Sequence, residues 1–385
     1  MKKRSARRVA AGRVVARIFI SLGLTILLVL ALVWSLAFLV ANGPSETMRD
    51  TLVNMAMQAS ATKWIPGLVL PKSEVDEILK SAGSLDFEII PTDDDPDSVQ
   101  RVRIDEAGQH IEPVTTPQTP ETKTDPEVDW SKAVDGILFK TINAAHCRAY
   151  IAIIKDPSTV YTATSSDFKS GKAGIRFWDL AERDNVLVMI NAGEYPDNGG
   201  GGNGSVPIGI TYSRGECLWN DGKSRTFMGF DNNNKLIVRE GLTKKEAEAL
   251  GIRDGVCFKT NNILLEQDEN GNVKAHRRND SAMSQRTAIG QRADGAVIFV
   301  VTDGRTGASL GATYNDVIDI MLRYGAVSAG MLDGGSSSLL YYRDYYNIYD
   351  YDYSALDEYQ RMGLVNIYKA FTQPRRIPTY FAVGR

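Results

Sequence analysis

The chain has 385 residues, 43% of them hydrophobic and 24% charged, the makeup of a globular protein rather than a disordered or fibrous one. Its formal net charge of −3 gives no basic surplus for nucleic acid to select, so no nucleic-acid partner is expected. The three cysteines (Cys147, Cys217, Cys257) allow at most one internal disulfide, and without a C-x-x-C pair they exclude the usual zinc and redox motifs.

The charge is unevenly placed along the chain. Lys2, Lys3, Arg4, Arg7, Arg8, Arg13 and Arg17 crowd positions 1–17, and no acid precedes Glu46. An uncharged apolar run follows at 18–41. At about 1.5 Å of rise per residue, a helix of that length crosses the roughly 30 Å hydrocarbon core of a bilayer. A cleavable signal peptide is the rival reading, but its apolar region is only about 7–15 residues long. The run therefore reads as an uncleaved transmembrane anchor. The positive-inside tendency keeps the basic segment 1–17 cytoplasmic and puts the rest of a single-pass cell-membrane protein outside.

Residues 45–90 read as a helical stalk. Ser45 or Thr47 is placed to cap it, and Leu52, Val53, Met55, Ala56 and Ala59 form an apolar stripe. A second short helix is expected at 73–80, where Ser73 and two acids make an N-cap and first turn. Residues 91–128 are rich in Pro, Thr, Asp and Glu, too poor in apolar surface to order themselves, and read as a linker.

The globular domain then covers 129–385. Apolar and β-branched runs bounded by Gly, Asn or Asp predict strands at 137–142, 150–155, 186–191, 207–212, 226–230, 235–239, 255–259 and 296–302. Turn residues at 231–234 and 292–295 predict hairpins. Helices are expected at 177–184, 244–250 and 314–324, the last with Val317, Ile318, Met321 and Leu322 on one face and Gly325 as its stop. Strand runs with occasional helices predict an α+β fold with a mixed or mostly antiparallel sheet. The cysteines read as buried thiols, with a Cys217–Cys257 bridge as the alternative.

Three segments break this texture: Asn191 to Ser205, Arg286 to Arg305, and Met331 to Ser338. In each, an apolar strand ends in polar residues and glycines, an arrangement that aims a carboxylate from a rigid scaffold and lets backbone N–H groups approach an anion. Each segment alone is also an ordinary turn, since Asp-Gly is a common turn dipeptide.

Taken in order, Asn191–Tyr195, Arg286–Gly290, Thr302–Arg305, the helix at 314–325, Leu332–Ser337 and the strand at 377–383 resemble the phosphodiester glycosidase family. The resemblance covers about 135–385 and departs from the family pattern at Glu194, where a small residue is usual. It implies a sugar-1-phosphodiester or phosphorylated-glycan substrate. Cleavage at C1 releases a phosphomonoester whose second pKa is near 6, so the leaving group needs little acid help. The site must instead stabilise charge growing on phosphate and a cationic sugar. On that basis Arg286 and Arg305 are candidate phosphate ligands, joined by Asn191, Gly193 and the backbone of Gly334, Gly335 and Ser336. Asp303 and Asp333 are the candidate catalytic acids, one steadying the oxocarbenium and the other activating water or attacking C1.

Other chemistries have less to work with. His146 and His276 are isolated, His110 lies in the linker, and the serines at 336–338 lack a G-x-S-x-G elbow. No cofactor or metal is expected, although Asp197, Asp303 and Asp333 are oxygen ligands of the kind that hold Ca²⁺. The tyrosines from Tyr341 to Tyr353 either stack on sugar faces or form an insertion packed on the domain. The reading is an extracytoplasmic hydrolase of glycosyl-1-phosphodiesters on surface or extracellular glycans. Its alternative is a non-catalytic phosphoglycan-binding module in exopolysaccharide assembly.

Overall fold

The computed structural model describes residues 2–43, 49, 52–53, 56, 64–75, 78, 128–143, 146–168, 171–197, 202–279, 282–304, 309–368 and 373–384. They fall into two compact units, Met1–Leu85 and Asp86–Arg385. In the first, α1 (Lys2–Ala41) runs unbroken through the basic and the apolar stretches. Its segment Phe19–Ala41 has a mean hydropathy of 2.8 and leaves side chains such as Phe19, Leu28 and Leu32 largely exposed. A helix apolar on every side is long enough here to cross a membrane. At its end Ala41 joins a small cluster with Val53, Val69, Leu70, Val75 and Ile78, and Asn42 donates to the Val69 carbonyl at 3.2 Å. Of the expected stalk, a 3₁₀ turn at Pro66–Leu68 and helical residues at 72–75 are seen. Ser45, Thr47, Met55, Ala59 and the expected linker at 91–127 lie outside the described residues.

The second unit is α+β, and every strand pairing among its described residues is antiparallel. A seven-stranded sheet runs, in spatial order, β1 (Ile137–Asn143), β2 (Arg148–Ile154), β13 (Val297–Thr302), β12 (Thr287–Arg292), β14 (Ala326–Met331), β10 (Ile263–Gln267) and β11 (Val273–Ala275). A four-stranded sheet runs β15 (Leu340–Tyr342), β4 (Val186–Asn191), β16 (Thr379–Gly384) and β3 (Val160–Thr164). A five-stranded sheet runs β6 (Glu216–Asn220), β5 (Ile210–Ser213), β9 (Ile252–Phe258), β7 (Thr226–Asp231) and β8 (Leu236–Glu240). The helices are α2 (Phe177–Arg183), α3 (Lys244–Leu250), α4 (Tyr314–Arg323), and the short α5 (Tyr345–Ile348) and α6 (Glu358–Arg361).

The seven-stranded sheet is covered on both faces, which explains why β2 and β13 read as unbroken apolar runs. On one face a Cβ at Gly290 would lie 2.8 Å from Met321 Sδ of α4; on the other, a Cβ at Gly330 would lie 2.5 Å from Met228 Cγ of β7. Gly290 pairs with Ala329 and Ile289 with Gly330. The two glycines thus sit on opposite faces, each where a neighbouring element comes closest. α4 starts with a capping box between Thr313 and Asp316 and buries Val317, Ile318, Ile320 and Met321.

Most expected elements form within a residue or two. β5 starts at Ile210 and not at 207, because Pro207 has no N–H to give and Gly209 adopts a φ of 84°. β9 starts three positions early, directly after the left-handed Gly251 that ends α3. The tyrosine run resolves into structure: Tyr341, Tyr342, Tyr345 and Tyr346 are buried, and Tyr345 packs on Phe139 with ring centroids 4.9 Å apart. Tyr349, Tyr351 and Tyr353 form its exposed side. All three cysteines are free thiols, so the Cys217–Cys257 alternative is not realised.

Candidate active site

Antiparallel register decides which chain ends meet. Thr302 pairs with Ala149, Thr287 with Val301, and Ala288 with Met331. The ends of β13 and β14 and the start of β12 therefore share one rim, carrying Asp303, Asp333 and Arg286. In the four-stranded sheet Asn191 pairs with Tyr380 and Ile190 with Leu340, which puts Asn191, Thr379 and Leu339 together at one end.

Asn191 joins the two rims. It is buried at the end of β4, donates from Nδ2 to the Asp333 carbonyl at 2.6 Å, and accepts at Oδ1 from Thr287 Oγ1 (2.8 Å) and Leu339 N (3.1 Å). The Asp333 amide returns a bond to the Ala192 carbonyl at 3.0 Å. Two residues on, Glu194 N donates to the Cys257 carbonyl at 2.8 Å, tying the same stretch to the end of β9. Gly193 fits between them because a Cβ there would lie 3.0 Å from Val256 Cβ and 3.2 Å from the Cys257 carbonyl. Residues 191–194 thus stitch all three sheets at one point, and Asp333 lies at the seam.

Asp333 retains partial solvent access although it is set deep among protein atoms. Desolvation pushes its carboxyl up from 3.8 to about 6, against the opposing pull of the Ser337 hydroxyl, Lys259, the Gly334 N–H and Arg375. Arg375 reaches in from residues 373–378. Its guanidinium lies 5.1 Å over the Tyr195 ring, donates to the Gly202 carbonyl at 3.1 Å, reaches Ser336 Oγ at 3.5 Å, and pairs with Asp197. Tyr195 OH meets Ser337 Oγ at 3.2 Å. At neutral pH the seam therefore holds an ionised but weakly solvated carboxylate whose charge Lys259 and Arg375 favour.

The other expected site residues are placed differently. Asp303 is fully buried, with Oδ2 accepting from Tyr150 OH (2.9 Å) and Oδ1 from Ile367 N (2.8 Å). Each carboxylate oxygen thus accepts one bond from a protein donor. Burial pushes its carboxyl up to about 6 as well. Arg286 spends Nε on the Ala312 carbonyl (3.1 Å) and Nη2 on the Ala282 carbonyl (2.6 Å), and so braces two loops. The Gly334 N–H is taken by Asp333 Oδ1 (3.0 Å), and the Gly335 N–H by the Gln285 carbonyl (2.9 Å). Ser336 is exposed beside Arg375. Arg305 lies outside the described residues, and no cluster of three metal-ligating side chains exists among those described. Asp197, one of the three acids considered for Ca²⁺, is the partner of Arg375.

Lys259, Arg375, Tyr195 and Ser337 were not reached by the sequence reading. Lys259 is one position past a strand, and neither it nor Arg375 has a glycine-rich signature to mark it. Ser337 and Tyr195 did fall within quoted segments, but their pairing depends on the fold.

Three antiparallel sheets pinned at their ends around a polar seam define an α+β protein. Sequence comparison names the class: the phosphodiester glycosidase family matches residues 184–383, just over half of the chain, and the chain belongs to that family. Over 161 residues it is 27% identical to the SPbeta prophage-derived uncharacterized protein YomE of Bacillus subtilis (strain 168), an alignment covering 41% of this chain. The chain spans about a quarter of that relative's length, 24%. Among solved structures, it is similar to the zebrafish N-acetylglucosamine-1-phosphodiester alpha-N-acetylglucosaminidase catalytic domain auto-inhibited by its pro-peptide. That match has 16% identity and a TM-score of 0.48, covering 65% of this chain and 82% of the other.

Proposed function

We propose that the chain hydrolyses glycosyl-1-phosphodiester bonds, releasing free sugar and a phosphomonoester. The observation that carries this reading is Asp333, a solvent-reachable carboxylate under the influence of both Lys259 and Arg375. In the proposed reaction the diester phosphate takes its place against Lys259 and Arg375, which stabilise the second negative charge as the C1–O bond breaks. The bonding pair leaves with the phosphate oxygen. Asp333 steadies the cationic sugar and either receives a proton from the attacking water or bonds C1 and is then released by water. Asp303, Arg286 and Asn191 hold the rim in register. In the same reading α1 anchors the chain in a cell membrane, residues 1–17 lie in the cytoplasm, and the domain at 129–385 acts on phosphorylated surface glycans outside.

The test is turnover of methyl diesters of α-hexose 1-phosphates by the full chain in detergent, followed by ³¹P NMR in H₂¹⁸O. Methyl phosphate should appear with the label in the sugar. Label in the phosphate, or no product across the sugar panel, would overturn the assignment. One observation favours a second reading, a module that binds phosphoglycans without cleaving them: Asp303 turns both oxygens inward and leaves Asp333 without the expected acidic companion. Ligand retention by Asp333→Asn, with no turnover in either protein, would support that reading.

A further inference from the structure

Glu194 follows the stretch that fastens Asp333, and its side chain is only 15% exposed. Its Oε2 accepts from Arg225 Nε at 2.8 Å and from the Lys259 backbone N–H at 3.1 Å. Its own backbone is held on both sides, by Glu194 N donating to the Cys257 carbonyl and Ile208 N donating to the Glu194 carbonyl, both at 2.8 Å. Lys259 is the first residue beyond β9, and its carbonyl accepts from Thr226 N at 3.0 Å. Past that bond Lys259 is exposed, and its amide donates to the Glu194 carboxylate. A single short stretch therefore grips Asp333 through the Ala192 carbonyl and Lys259 through the Glu194 side chain.

We propose that Glu194 is a positioning residue: it clamps the Lys259 amide, with Arg225 bracing the carboxylate, and so fixes where the Lys259 side chain leaves the main chain beside the stretch that holds Asp333. The inference rests on Lys259 belonging to the anion site of the proposed reaction. Charge-assisted bonds to a carboxylate are about twice as strong as neutral ones, which suits a clamp on an otherwise exposed chain turn. Lys259 draws the Asp333 carboxyl down against its desolvation, in keeping with an ammonium held nearby.

The test uses sulfate, whose charge does not change across neutral pH, as a probe of anion binding that requires no turnover. Calorimetry on the full chain in detergent compares wild type with Glu194→Gln, Glu194→Ala, Lys259→Ala and the Glu194→Ala/Lys259→Ala double variant. Thermal melts accompany each protein. Lys259→Ala should weaken sulfate about tenfold or more, as loss of a charged contact does. Glu194→Ala should weaken it comparably, Glu194→Gln by less than about threefold because the amide oxygen still accepts from Lys259 N, and the double variant no further than Lys259→Ala, the sign of one shared interaction. If Lys259→Ala weakens sulfate while Glu194→Ala binds as wild type, the clamp is refuted and the anion site stands. If Lys259→Ala binds as wild type, the anion site and the clamp fall together. Additive losses in the double variant would also refute the clamp, because Glu194 would then act independently of Lys259.

Discussion

Asp303→Asn is a change that should stabilise this protein at neutral pH, although it alters one of the two acids that sequence reasoning placed in the reaction. Asp303 is fully buried and accepts two hydrogen bonds, yet desolvation still lifts its carboxyl from 3.8 to about 6. Between those values the folded state holds a proton that the unfolded chain has released, so stability falls as pH rises from 4 to above 6. At roughly 1.4 kcal/mol per pH unit, ionising Asp303 in place costs about 3 kcal/mol at pH 7.5. Asparagine removes that cost: its oxygen accepts from Ile367 N and its amide donates to the Tyr150 oxygen. The Tyr150 proton then loses its acceptor, which takes back about 1 kcal/mol and leaves a net gain of about 2 kcal/mol. For a domain of this size that corresponds to about 4–8 °C in Tm. Melts of the full chain followed by tryptophan fluorescence, at pH 4.5 and 7.5, measure it as the difference between variant and wild type. The gain should be present at pH 7.5 and absent at pH 4.5. Equal or lower stability at pH 7.5 would show that the Asp303 charge contributes favourably and that the desolvation argument is wrong.

Asp333→Asn should lower kcat for a hexose-1-phosphate methyl diester by about a thousandfold or more while the melt stays cooperative, and near-normal turnover would remove Asp333 from the chemistry. In wild type kcat/KM should fall as pH drops through about 6, where the raised Asp333 carboxyl takes up its proton. Arg375→Ala should move that fall to higher pH, because it removes a cation that favours the ionised form; a fall at or below the wild-type pH would contradict the placement. Asn191→Ala strands the Asp333 carbonyl and the Leu339 N–H, and should cost about 2–4 kcal/mol, read as a drop in Tm of the full chain.

The fold was legible in the sequence wherever burial imposes a period or a turn imposes a residue. β4 and α3 were placed to the residue, because an all-apolar run ends at Asn191 and a capping Thr243 and a left-handed Gly251 bracket the helix. The rims were legible too, since strand ends followed by polar residues marked Asn191, Asp303 and Asp333. Their division of labour was not. Asp303-Gly304 and Asp333-Gly334 read alike on paper, but Tyr150 from β2 and Ile367 from a distant loop close over the first alone. Those partners are 153 and 64 positions away, a separation that local pattern cannot see. The same limit hid Lys259 and Arg375, whose relevance comes from pairing across sheets. Nor could local pattern show that the Arg286 guanidinium reaches the carbonyls of Ala282 and Ala312.

Around the seam, most of the buried polar groups are tied to the main chain, while Asp333 keeps partial solvent access. Asn191, Arg286, Gln285 and Asp303 form a rigid frame: Gln285 Nε2 donates to the Gly304 carbonyl at 2.7 Å, and Arg286 N to Thr302 Oγ1 at 2.9 Å, joining the β12 and β13 ends. Asp333 belongs to that frame through its backbone, which Asn191 and Ala192 hold, while its side chain is bonded from within its own loop by Gly334 N. A carboxylate fixed in position by its main chain and short of solvent gains most when a cationic sugar forms against it. The frame supplies the fixed geometry in advance, so little reorganisation remains for the moment of reaction. Changes that strand a hydrogen-bond partner in the frame, as Asn191→Ala does, should lower stability and turnover together, whereas changes at Asp333 should lower turnover alone.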